Sequence, residues 1–311
     1  MPEKSRSAIR SFHIALPATS ANLGPAFDAA ALAMDFYIKI DARATAKYAI
    51  VATGRDQEIC GRVQDHLILE TYRQVLSTNG RPEVPLALRV GNDIPIGKGC
   101  GSSAAARLAG IALANHFGRL RWTDAKIVGE ASRREHHPDN ASACWMGGVT
   151  VARMAAEAEA QVVSIRPKGE WPLLLAVPPE ALSTEKARAV LPAQYSRADV
   201  VTNVQNSMLL LAALQQGRHD LLGNALEDRI HQPYRAVLCP LLPLLQELQG
   251  KSGILGVVLS GAGPSVLMFL DPKTSLKKTR EVVGAHLNRS GLKAELTPTA
   301  IAARGARSLS K

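Results

Sequence analysis

A run of alternating glycines that ends in two serines indicates phosphate-binding chemistry. The run consists of Pro95, Ile96, Gly97, Lys98, Gly99, Cys100, Gly101, Ser102, Ser103, Ala104 and Ala105. Glycine adopts positive φ angles readily, and without a Cβ it lets an anion come close to the backbone. Serines at the start of a helix cap free N–H groups and face the positive end of the helix dipole, where phosphate binds. We therefore expect a phosphate-binding loop in which Ser102 and Ser103 cap the following helix.

Two common nucleotide-binding patterns do not fit this chain. The Walker pattern G-x4-G-K-[ST] fails at Gly250-Lys251-Ser252, because Leu245 stands where its first glycine is required. The dinucleotide pattern G-x-G-x-x-G fails because Ser102 stands where its third glycine is required. Taken by itself, the glycine run is equally compatible with a plain capped turn before a helix.

Two further polar clusters contain side chains that could hold a ligand. The stretch from Pro17 to Asp28 combines small residues with Asn, Gly and Pro, and we expect a loop in which Asn22 and Asp28 point oxygens at one ligand. The stretch from Glu135 to Asn140 places a Glu, an Asp and an Asn within six residues. Its ordinary interpretation is a helix C-terminus that turns through a proline.

The composition restricts the class of protein. The 311 residues are 46% hydrophobic and 21% charged, which is typical of a globular protein with room for two domains. We see neither a stretch of about 18 apolar residues nor a signal peptide, so we expect a cytoplasmic protein without a membrane partner. The net charge is +10, but aromatic residues make up only 4%. We therefore expect no nucleic-acid partner, and a basic surface also attracts ATP and acidic substrates.

The cysteines and histidines do not indicate a metal centre. Cys60, Cys100, Cys144 and Cys239 form no CxxC pair, so we expect reduced and mostly buried thiols rather than a disulfide framework or a zinc site. The adjacent His136 and His137 would not share one face of a helix.

The pattern of apolar residues predicts a mixed order of strands and helices, which indicates the α+β class. Strands are expected at 12–16, 36–42, 86–90, 149–153, 161–165 and 173–177, on both sides of a glycine turn within 256–267, and near 295. Helices are expected at 65–76, 103–117, 123–134, from 183 onward, and at 198–216, 220–230 and 276–287.

The pattern P-x-G-x-G-x-G-S-S-A resembles the central ATP-binding motif of the GHMP kinases, named for galactokinase, homoserine, mevalonate and phosphomevalonate kinases. The stretch from Pro17 to Asp28 and the turn from Leu259 to Pro264 match this superfamily in the same order. Further details resemble the homoserine kinases, whose motifs E-G-H-P-D-N, S-T-x-x-A-R-x-x-L-P, H-x-P-Y-R and G-A-R are similar to the segments 135–140, 183–192, 231–235 and 305–307.

The resemblance implies a two-domain GHMP kinase fold of the α+β class. Residues 1–160 would form an ATP-binding domain like domain 2 of ribosomal protein S5, and residues 161–311 would form a ferredoxin-like domain. It also implies a homodimer that uses ATP and Mg²⁺ to phosphorylate the side-chain hydroxyl of L-homoserine. There are two alternatives. The chain could be a kinase for another small alcohol such as mevalonate, or a catalytically silent sensor of nucleotide or metabolite.

Site residues are implied in the same way. The loop from Pro95 to Ala105 would bind ATP, and Ser103 with Glu135 would hold Mg²⁺. The remaining matches are Asn22 and Asp28 for the substrate ammonium, Arg188 and Arg235 for its carboxylate, and Asp139 and Asn140 near its hydroxyl. Arginine suits the carboxylate because its planar fork donates bidentately. Whether Asp139 acts as a base or the site works by positioning stays open.

Four positions depart from the family pattern. Ala26 replaces a glycine and would distort its loop if that position needs a positive φ, and His136 replaces a second glycine beside Glu135. Cys100 replaces a leucine, which a small hydrophobic residue tolerates. Asp65-His66 lies where relatives often carry an adenine-binding E/D-N pair, and a helix cap is an equally good interpretation of it.

Overall fold

The computed structural model describes residues 11–155 and 159–310, which form two β-sheets covered by helices. The strands are β1 (Ser11–Ala21), β2 (Ala30–Ala44), β3 (Ala49–Gly54), β4 (Leu86–Asn92), β5 (Val149–Met154), β6 (Ala160–Ile165), β7 (Leu173–Val177), β8 (Ile254–Leu259), β9 (Val266–Leu270) and β10 (Glu295–Thr299). The α+β class expected from the sequence is confirmed.

Helices alternate irregularly with these strands. They are α1 (Gln57–Cys60), α2 (Leu67–Thr78), α3 (Ser102–Phe117), α4 (Asp124–Glu135), α5 (Asp139–Met146), α6 (Thr184–Ala189), α7 (Arg197–Gln216), α8 (Leu222–Ala225), α9 (Gln232–Arg235), α10 (Leu241–Gln246) and α11 (Leu276–Ser290). Single 3₁₀ turns follow at His219–Leu221, Ala236–Leu238 and Ala306–Ser308. No helix in the described ranges is both long and apolar enough to cross a membrane.

The first sheet has the strand order β3-β4-β2-β5-β6, and β1 pairs with β2 outside this path. The long antiparallel pair β1 and β2 places Ile14 opposite Ile40 and Leu16 opposite Ile38, and all four residues are buried. Strand β6 pairs with β5 and so belongs to this sheet. The division into domains 1–160 and 161–311 stays a prediction.

Helix α3 lies in the main hydrophobic core of the molecule. Ten of its sixteen residues are buried, among them Leu108, Ile111 and Leu113, so its apolar residues are not confined to one face. Fully burying a leucine or isoleucine contributes roughly 2 kcal/mol. The N-terminus of α3, which follows the glycine loop, is therefore anchored by the rest of the helix.

The second sheet is antiparallel, with the order β10-β7-β9-β8. Its central strands β7 and β9 consist only of buried residues, which matches their uninterrupted apolar sequences. The turn between β8 and β9 carries Ser260 to Ser265 toward the glycine loop, where Ser260 Oγ donates to the Gly99 carbonyl over 2.8 Å. The two sheets thus meet at the glycine loop.

One expectation about the polar clusters was wrong, and one helix was not predicted. The stretch from Pro17 to Ala21 is not a loop, because β1 continues through it to Ala21. The ladder shifts register between Pro17 and Ala18, and a bulge of this kind lets a strand contain a proline. Residues 139–146 form α5, a helix that we did not predict, and Pro138 stands at its N-cap, where a missing N–H does no harm.

The helix expected at 220–230 is confirmed only in its first part. Regular structure ends with the 3₁₀ turn and the short helix α8 at Ala225. The Asp228 carboxylate accepts hydrogen bonds from the backbone N–H groups of Ile230, His231 and Gln232. Aspartate offers the backbone an alternative to helical hydrogen bonds in this way, so the chain turns and starts α9 instead.

Candidate active site

The glycine loop joins β4 to α3 in a conformation that depends on its glycines. Gly97, Gly99 and Gly101 have φ angles of 69°, 77° and 70°, in the left-handed region. Alternation of left-handed and ordinary residues turns successive N–H groups toward one side and creates an anion-binding concavity. The first turn of α3 adds N–H groups without intrahelical partners.

The two serines do not cap α3 as we expected. Gly101 stands at the N-cap, and no side chain accepts a hydrogen bond there. Ser102 Oγ instead accepts from the Gly97 N–H over 3.4 Å, and Ser103 Oγ donates to Glu135 Oε1 over 2.7 Å. Both hydroxyls are drawn to other partners, so the N–H groups at the helix start are available to a ligand.

Gly101 is required for a second reason, because a side chain there would collide with Thr19. A Cβ at Gly101 would lie 1.9 Å from Thr19 Oγ1. That hydroxyl donates to Asn140 Oδ1 over 2.6 Å and fixes the amide of a predicted catalytic residue. Thr19 therefore connects β1, the glycine loop and α5.

The predicted metal ligands Ser103 and Glu135 lie together. Glu135 is the last residue of α4, and its Oε1 accepts from Arg107 Nε as well as from Ser103. Arg107 follows Ser103 by four residues on α3 and so lies on the same helix face. A hydroxyl and one carboxylate, completed by phosphate oxygens and water, form a suitable Mg²⁺ site.

Asp139 lies at the start of α5 and is only 1% exposed. Its Oδ1 accepts hydrogen bonds from His137 Nδ1 over 2.6 Å and from both the backbone and the side-chain nitrogen of Asn140. Burial lowers the pKa of His137, but the hydrogen bond and charge of Asp139 outweigh burial and raise it above the usual value. His137 and Asp139 therefore form a tightly bound pair.

Asp28 and Arg188 form a bidentate ion pair. Arg188 on α6 donates from Nη2 to Asp28 Oδ1 over 2.7 Å and from Nη1 to Asp28 Oδ2 over 3.0 Å. The Asn22 side chain is used locally, since its Oδ1 accepts from the Asp28 N–H and its Nδ2 donates to the Gly261 carbonyl. Asn22 thus holds the loop that presents Asp28.

The same loop explains why Ala26 is tolerated. Positive φ angles fall on Asn22, Leu23, Gly24 and Asp28, and Ala26 has an ordinary backbone conformation. The family glycine is therefore not needed at position 26 for backbone reasons, and the expected distortion is absent from this loop.

Arg235 is 1% exposed, and its guanidinium is held from several sides. Its Nε donates to the Ala187 carbonyl over 3.0 Å, and its Nη1 donates to His231 Nδ1 over 3.1 Å. His231 Nε2 then donates to the Gly24 carbonyl over 2.8 Å, which fixes a neutral imidazole. Burial, together with the charge of Arg235, lowers the pKa of His231 to about 4, although Asp228 opposes the shift.

Phe27 supports both arginines. The guanidinium carbons of Arg188 and Arg235 lie 5.5 Å and 5.2 Å from the centre of its ring. Cation–π contacts of this length hold guanidinium groups without occupying their N–H donors. The free donors of the two arginines remain available for a carboxylate.

One cavity brings together most of the residues that the sequence singled out. Its lining includes Asn22, Asp28, Gly97, Gly99, Gly101, Ser102, Ser103, Ala104, Glu135, Asp139, Asn140, Arg188 and Arg235. Other members of the glycine run do not line it. Cys100 and Ala105 are buried beneath the loop, and Lys98 Nζ donates to the Pro179 carbonyl. The loop thus separates residues that face the cavity from residues that anchor it.

A second, apolar cavity of about 330 Å³ shares Gly97, Ser102 and Ser103 with the first. Its other walls include Ile38, Ile59, Leu67, Ile68, Val90, Ile94, Ile96 and Ala106. His66 also lines it, and its Nδ1 is buried without a hydrogen-bond partner among the described residues, while Nε2 contacts the Cys60 carbonyl. Burial lowers the pKa of His66 and so favours its neutral form. His66 also stands at the N-cap position of α2, followed by the buried Ile68 and Leu69, but its side chain makes no capping hydrogen bond.

Asp28, His137 and Asp139 place potential metal-ligand atoms within 4.8 Å of one another. Both carboxylates of this cluster are paired, with Arg188 and with His137, just as Glu135 is paired with Arg107. The pair of Ser103 and Glu135 is the better candidate for a cation that must also bind phosphate, because Ser103 lies in the first turn of α3 directly after the glycine loop.

Several residues of this site were not predicted from the sequence. Thr19 falls on a variable position of its motif, and Arg107 follows the glycine run without any distinguishing pattern. His137 belongs to a recognised motif but was considered only as a metal ligand. Phe27 belongs to another, and its adjacency to Asp28 was the available signal.

Comparisons with known proteins identify families and structures that this chain resembles. The family models described as "GHMP kinases N terminal domain" and "GHMP kinases C terminal" match residues 66–148 and 210–289. A homoserine kinase of Solibacter usitatus is 43% identical over 262 residues, which cover 84% of this chain and 85% of that protein. A homoserine kinase of Deinococcus radiodurans is 34% identical over 96% of this chain and 97% of its own. The crystal structure of homoserine kinase from Cytophaga hutchinsonii shares the fold, with a TM-score of 0.79 at 23% identity over 97% of both chains.

Proposed function

The chain belongs to the homoserine kinase family of the GHMP kinases, and from this we propose that it transfers the γ-phosphoryl group of ATP to the side-chain hydroxyl of L-homoserine. The family resemblance noted in the sequence is confirmed by these comparisons. One observation supports L-homoserine as the substrate. A carboxylate and two arginines lie in the same cavity as the glycine loop, within reach of one small zwitterion.

The ion pair of Asp28 and Arg188 favours an amino acid as the acceptor. An amino acid can replace this pair by an exchange, with its ammonium on Asp28 and its carboxylate on Arg188 and Arg235. Both charges then regain partners, and none is left buried and unpaired. An alcohol without an ammonium group offers Asp28 no new partner. Asp28 would then compete with the carboxylate of that alcohol for Arg188, which disfavours mevalonate. The role of Asn22 as a further ammonium ligand stays a prediction.

The two adjoining cavities support ATP as the phosphoryl donor. The backbone of the glycine loop and the start of α3 would hold its phosphates. The apolar cavity would hold the base, and the unpartnered Nδ1 of His66 could accept a hydrogen bond from an exocyclic amino group. Such a buried acceptor without a partner costs free energy until a ligand satisfies it.

Ser103 and Glu135 would hold Mg²⁺, because they are adjacent and line the cavity beside the phosphate loop. The bound ion would neutralise the charge of the phosphate groups during transfer. These two residues fit the ion's preference for few carboxylates combined with phosphate oxygens.

Asp139 and Asn140 would position the acceptor hydroxyl in the cavity that the glycine loop also lines. Thr19 fixes the Asn140 amide, and Asn140 Nδ2 reaches Asp139 over 3.2 Å. Asp139 Oδ1 is fully used by its internal donors, which leaves Oδ2 as the oxygen that could receive a proton from the hydroxyl. If no proton is transferred to Asp139, these residues would contribute by orientation, which is worth several powers of ten in rate.

A coupled ADP-release assay tests the proposal. The purified chain is supplied with Mg²⁺ and ATP and with L-homoserine, L-serine, L-threonine, mevalonate or no acceptor. We expect turnover selective for L-homoserine, and we expect Arg188→Met to raise its KM about 100-fold while Arg229→Met, a matched control at an exposed arginine, leaves KM unchanged. Turnover on mevalonate would support the proposed kinase activity but contradict L-homoserine as the substrate. ATP binding without any turnover would indicate a sensor.

We also propose, from the family resemblance, that the chain acts in the cytoplasm as a homodimer without a nucleic-acid or membrane partner. Light scattering of the purified chain measures the oligomeric state. A monomeric mass over the concentration range of the activity assay would contradict the dimer.

A further inference from the structure

The carboxylate of Glu135, where a metal ion is proposed to bind, is already paired with a cationic side chain of the protein itself. Its Oε1 accepts hydrogen bonds from Ser103 and from the guanidinium of Arg107 at once. Arg107 makes no other ion pair or side-chain hydrogen bond with the residues that the structure describes. Its charge is therefore directed at a single carboxylate oxygen.

The pair is shielded from solvent. The side chains of Glu135 and Arg107 are only 12% and 26% exposed, whereas the Arg133 side chain, which pairs with Glu130 on the same helix, is 54% exposed. Charges that are partly buried are screened less by salt and water than exposed ones. A metal ion that approaches Glu135 is therefore repelled by the charge of Arg107 and competes with it for the carboxylate.

We propose that Arg107 is the counter-ion of Glu135 and lowers the affinity of this carboxylate for a divalent cation. The metal must displace the guanidinium from Oε1 or share the carboxylate with it. Arg107 is thus a positioning residue that acts through Glu135 and sets the metal concentration that the enzyme requires. This inference rests on the proposed function, since it takes Ser103 and Glu135 as the metal-holding pair.

Binding of Mn²⁺ tests the inference without turnover. The free Mn²⁺ signal in electron paramagnetic resonance is titrated with the full chain in the presence of the non-hydrolysable ATP analogue AMPPNP. We expect Arg107→Met to tighten Mn²⁺ binding by at least about tenfold, because removing a positive charge roughly 5 Å from a divalent ion corresponds to about this change even at the dielectric constant of water, about 80. Arg107→Lys keeps the charge and should bind within about twofold of the unmodified chain.

Two controls isolate the local effect. Arg133→Met removes a positive charge from the neighbouring ion pair and should leave Mn²⁺ affinity unchanged within about twofold, which excludes an effect of net charge. Glu135→Gln should weaken Mn²⁺ binding strongly. If Arg107→Met fails to fold, as judged by circular dichroism, Arg107→Gln replaces it.

The outcomes separate the inference from the proposed function. Mn²⁺ affinity in Arg107→Met that is equal to or weaker than that of the unmodified chain overturns the inference alone. Equal tightening in Arg107→Lys also overturns it, because the charge would then be irrelevant. If the unmodified chain with AMPPNP binds no Mn²⁺, or Glu135→Gln binds it equally well, the proposed metal site fails and the inference fails with it.

Discussion

Each of the three carboxylates that face the candidate site is paired with a cationic or protonatable side chain of the chain itself. Asp28 pairs with Arg188, Glu135 with Arg107, and Asp139 with His137. Buried or half-buried carboxylates without partners would pay a large desolvation penalty, so these pairs stabilise the structure before ligands bind. A ligand that binds these carboxylates therefore has to replace their internal partners with its own groups.

The role of Asp139 is tested by replacing it with asparagine. Asp139→Asn keeps an oxygen that can accept from Asn140 but removes the negative charge and the basic oxygen. We expect kcat for L-homoserine phosphorylation to fall about 100-fold, the lower end of the contribution of a general base. Steady-state kinetics measure the change, with Asp124→Asn as a control on the neighbouring helix α4. Near-full activity of Asp139→Asn would exclude an obligatory base.

His231 makes stability depend on pH. Its pKa is about 4 in the folded chain against 6.5 for the free group, so the unfolded chain binds the proton more readily. The neutral ring thus contributes stability above about pH 6.5, and this is lost as the pH falls toward 4.

Urea unfolding between about pH 7 and about pH 4.5 measures this effect. The free energy of unfolding should fall less steeply in His231→Gln, whose side chain does not titrate, than in the unmodified chain. Identical pH dependence in both chains would show that His231 does not titrate on unfolding in this range.

At the scale of elements, the end of α4 carries a strained residue next to the site. His136 stands at the C-cap with a φ of 67°, in the left-handed conformation that glycine adopts without penalty. The family motif has glycine here, so the departure noted in the sequence has a backbone consequence. The turn is maintained because α4 and α5 are both anchored in the core, through Ile127 and Trp145 among others.

Replacing His136 by glycine should therefore stabilise the chain. The left-handed conformation costs an ordinary residue roughly 1–2 kcal/mol, and part of this gain is offset by the larger backbone freedom of glycine in the unfolded chain. We expect His136→Gly to raise the free energy of unfolding by about 1 kcal/mol in urea denaturation. His136→Ala is the matched control, since it removes the ring but keeps the strain, and it should not stabilise. Equal stability of the two variants would contradict the argument.

At the scale of the whole molecule, the site is assembled from both halves of the chain. The first half contributes Asp28, Glu135 and Asn140, and the second half contributes Arg188 and Arg235. A ligand that bridges these residues binds only the folded arrangement, so it should raise the unfolding temperature by mass action.

Thermal unfolding with single and combined ligands checks this prediction. At about 100 times its dissociation constant, a ligand adds roughly 2.7 kcal/mol, which corresponds to a shift of a few degrees. We expect shifts from Mg²⁺ with AMPPNP and from L-homoserine, and Arg188→Met should lose only the second. Loss of both shifts in Arg188→Met would mean that the variant disturbs the fold rather than the acceptor site.

Local residue patterns and short motifs were enough to predict which segments line the candidate site and what chemistry they would support. The glycine loop was identified from residue type and spacing, whereas the roles of the Asp139–Asn140 pair and of the two arginines were implied by the family resemblance, and most of these residues line one cavity. This succeeded because positive φ angles and fixed charges are properties of single residues and short segments. Regular helices such as α3 and α7 were likewise predicted closely from local patterns.

Contacts between side chains from distant parts of the chain became visible only in the folded structure. Asp28 meets Arg188 at a separation of 160 residues, and Thr19 meets Asn140 at a separation of 121. The same packing redirected Ser102 and Ser103 from capping and let Asp228 end the helix expected at 220–230. Contacts between distant segments depend on how sheets and helices pack, and local sequence patterns carry no information about that packing.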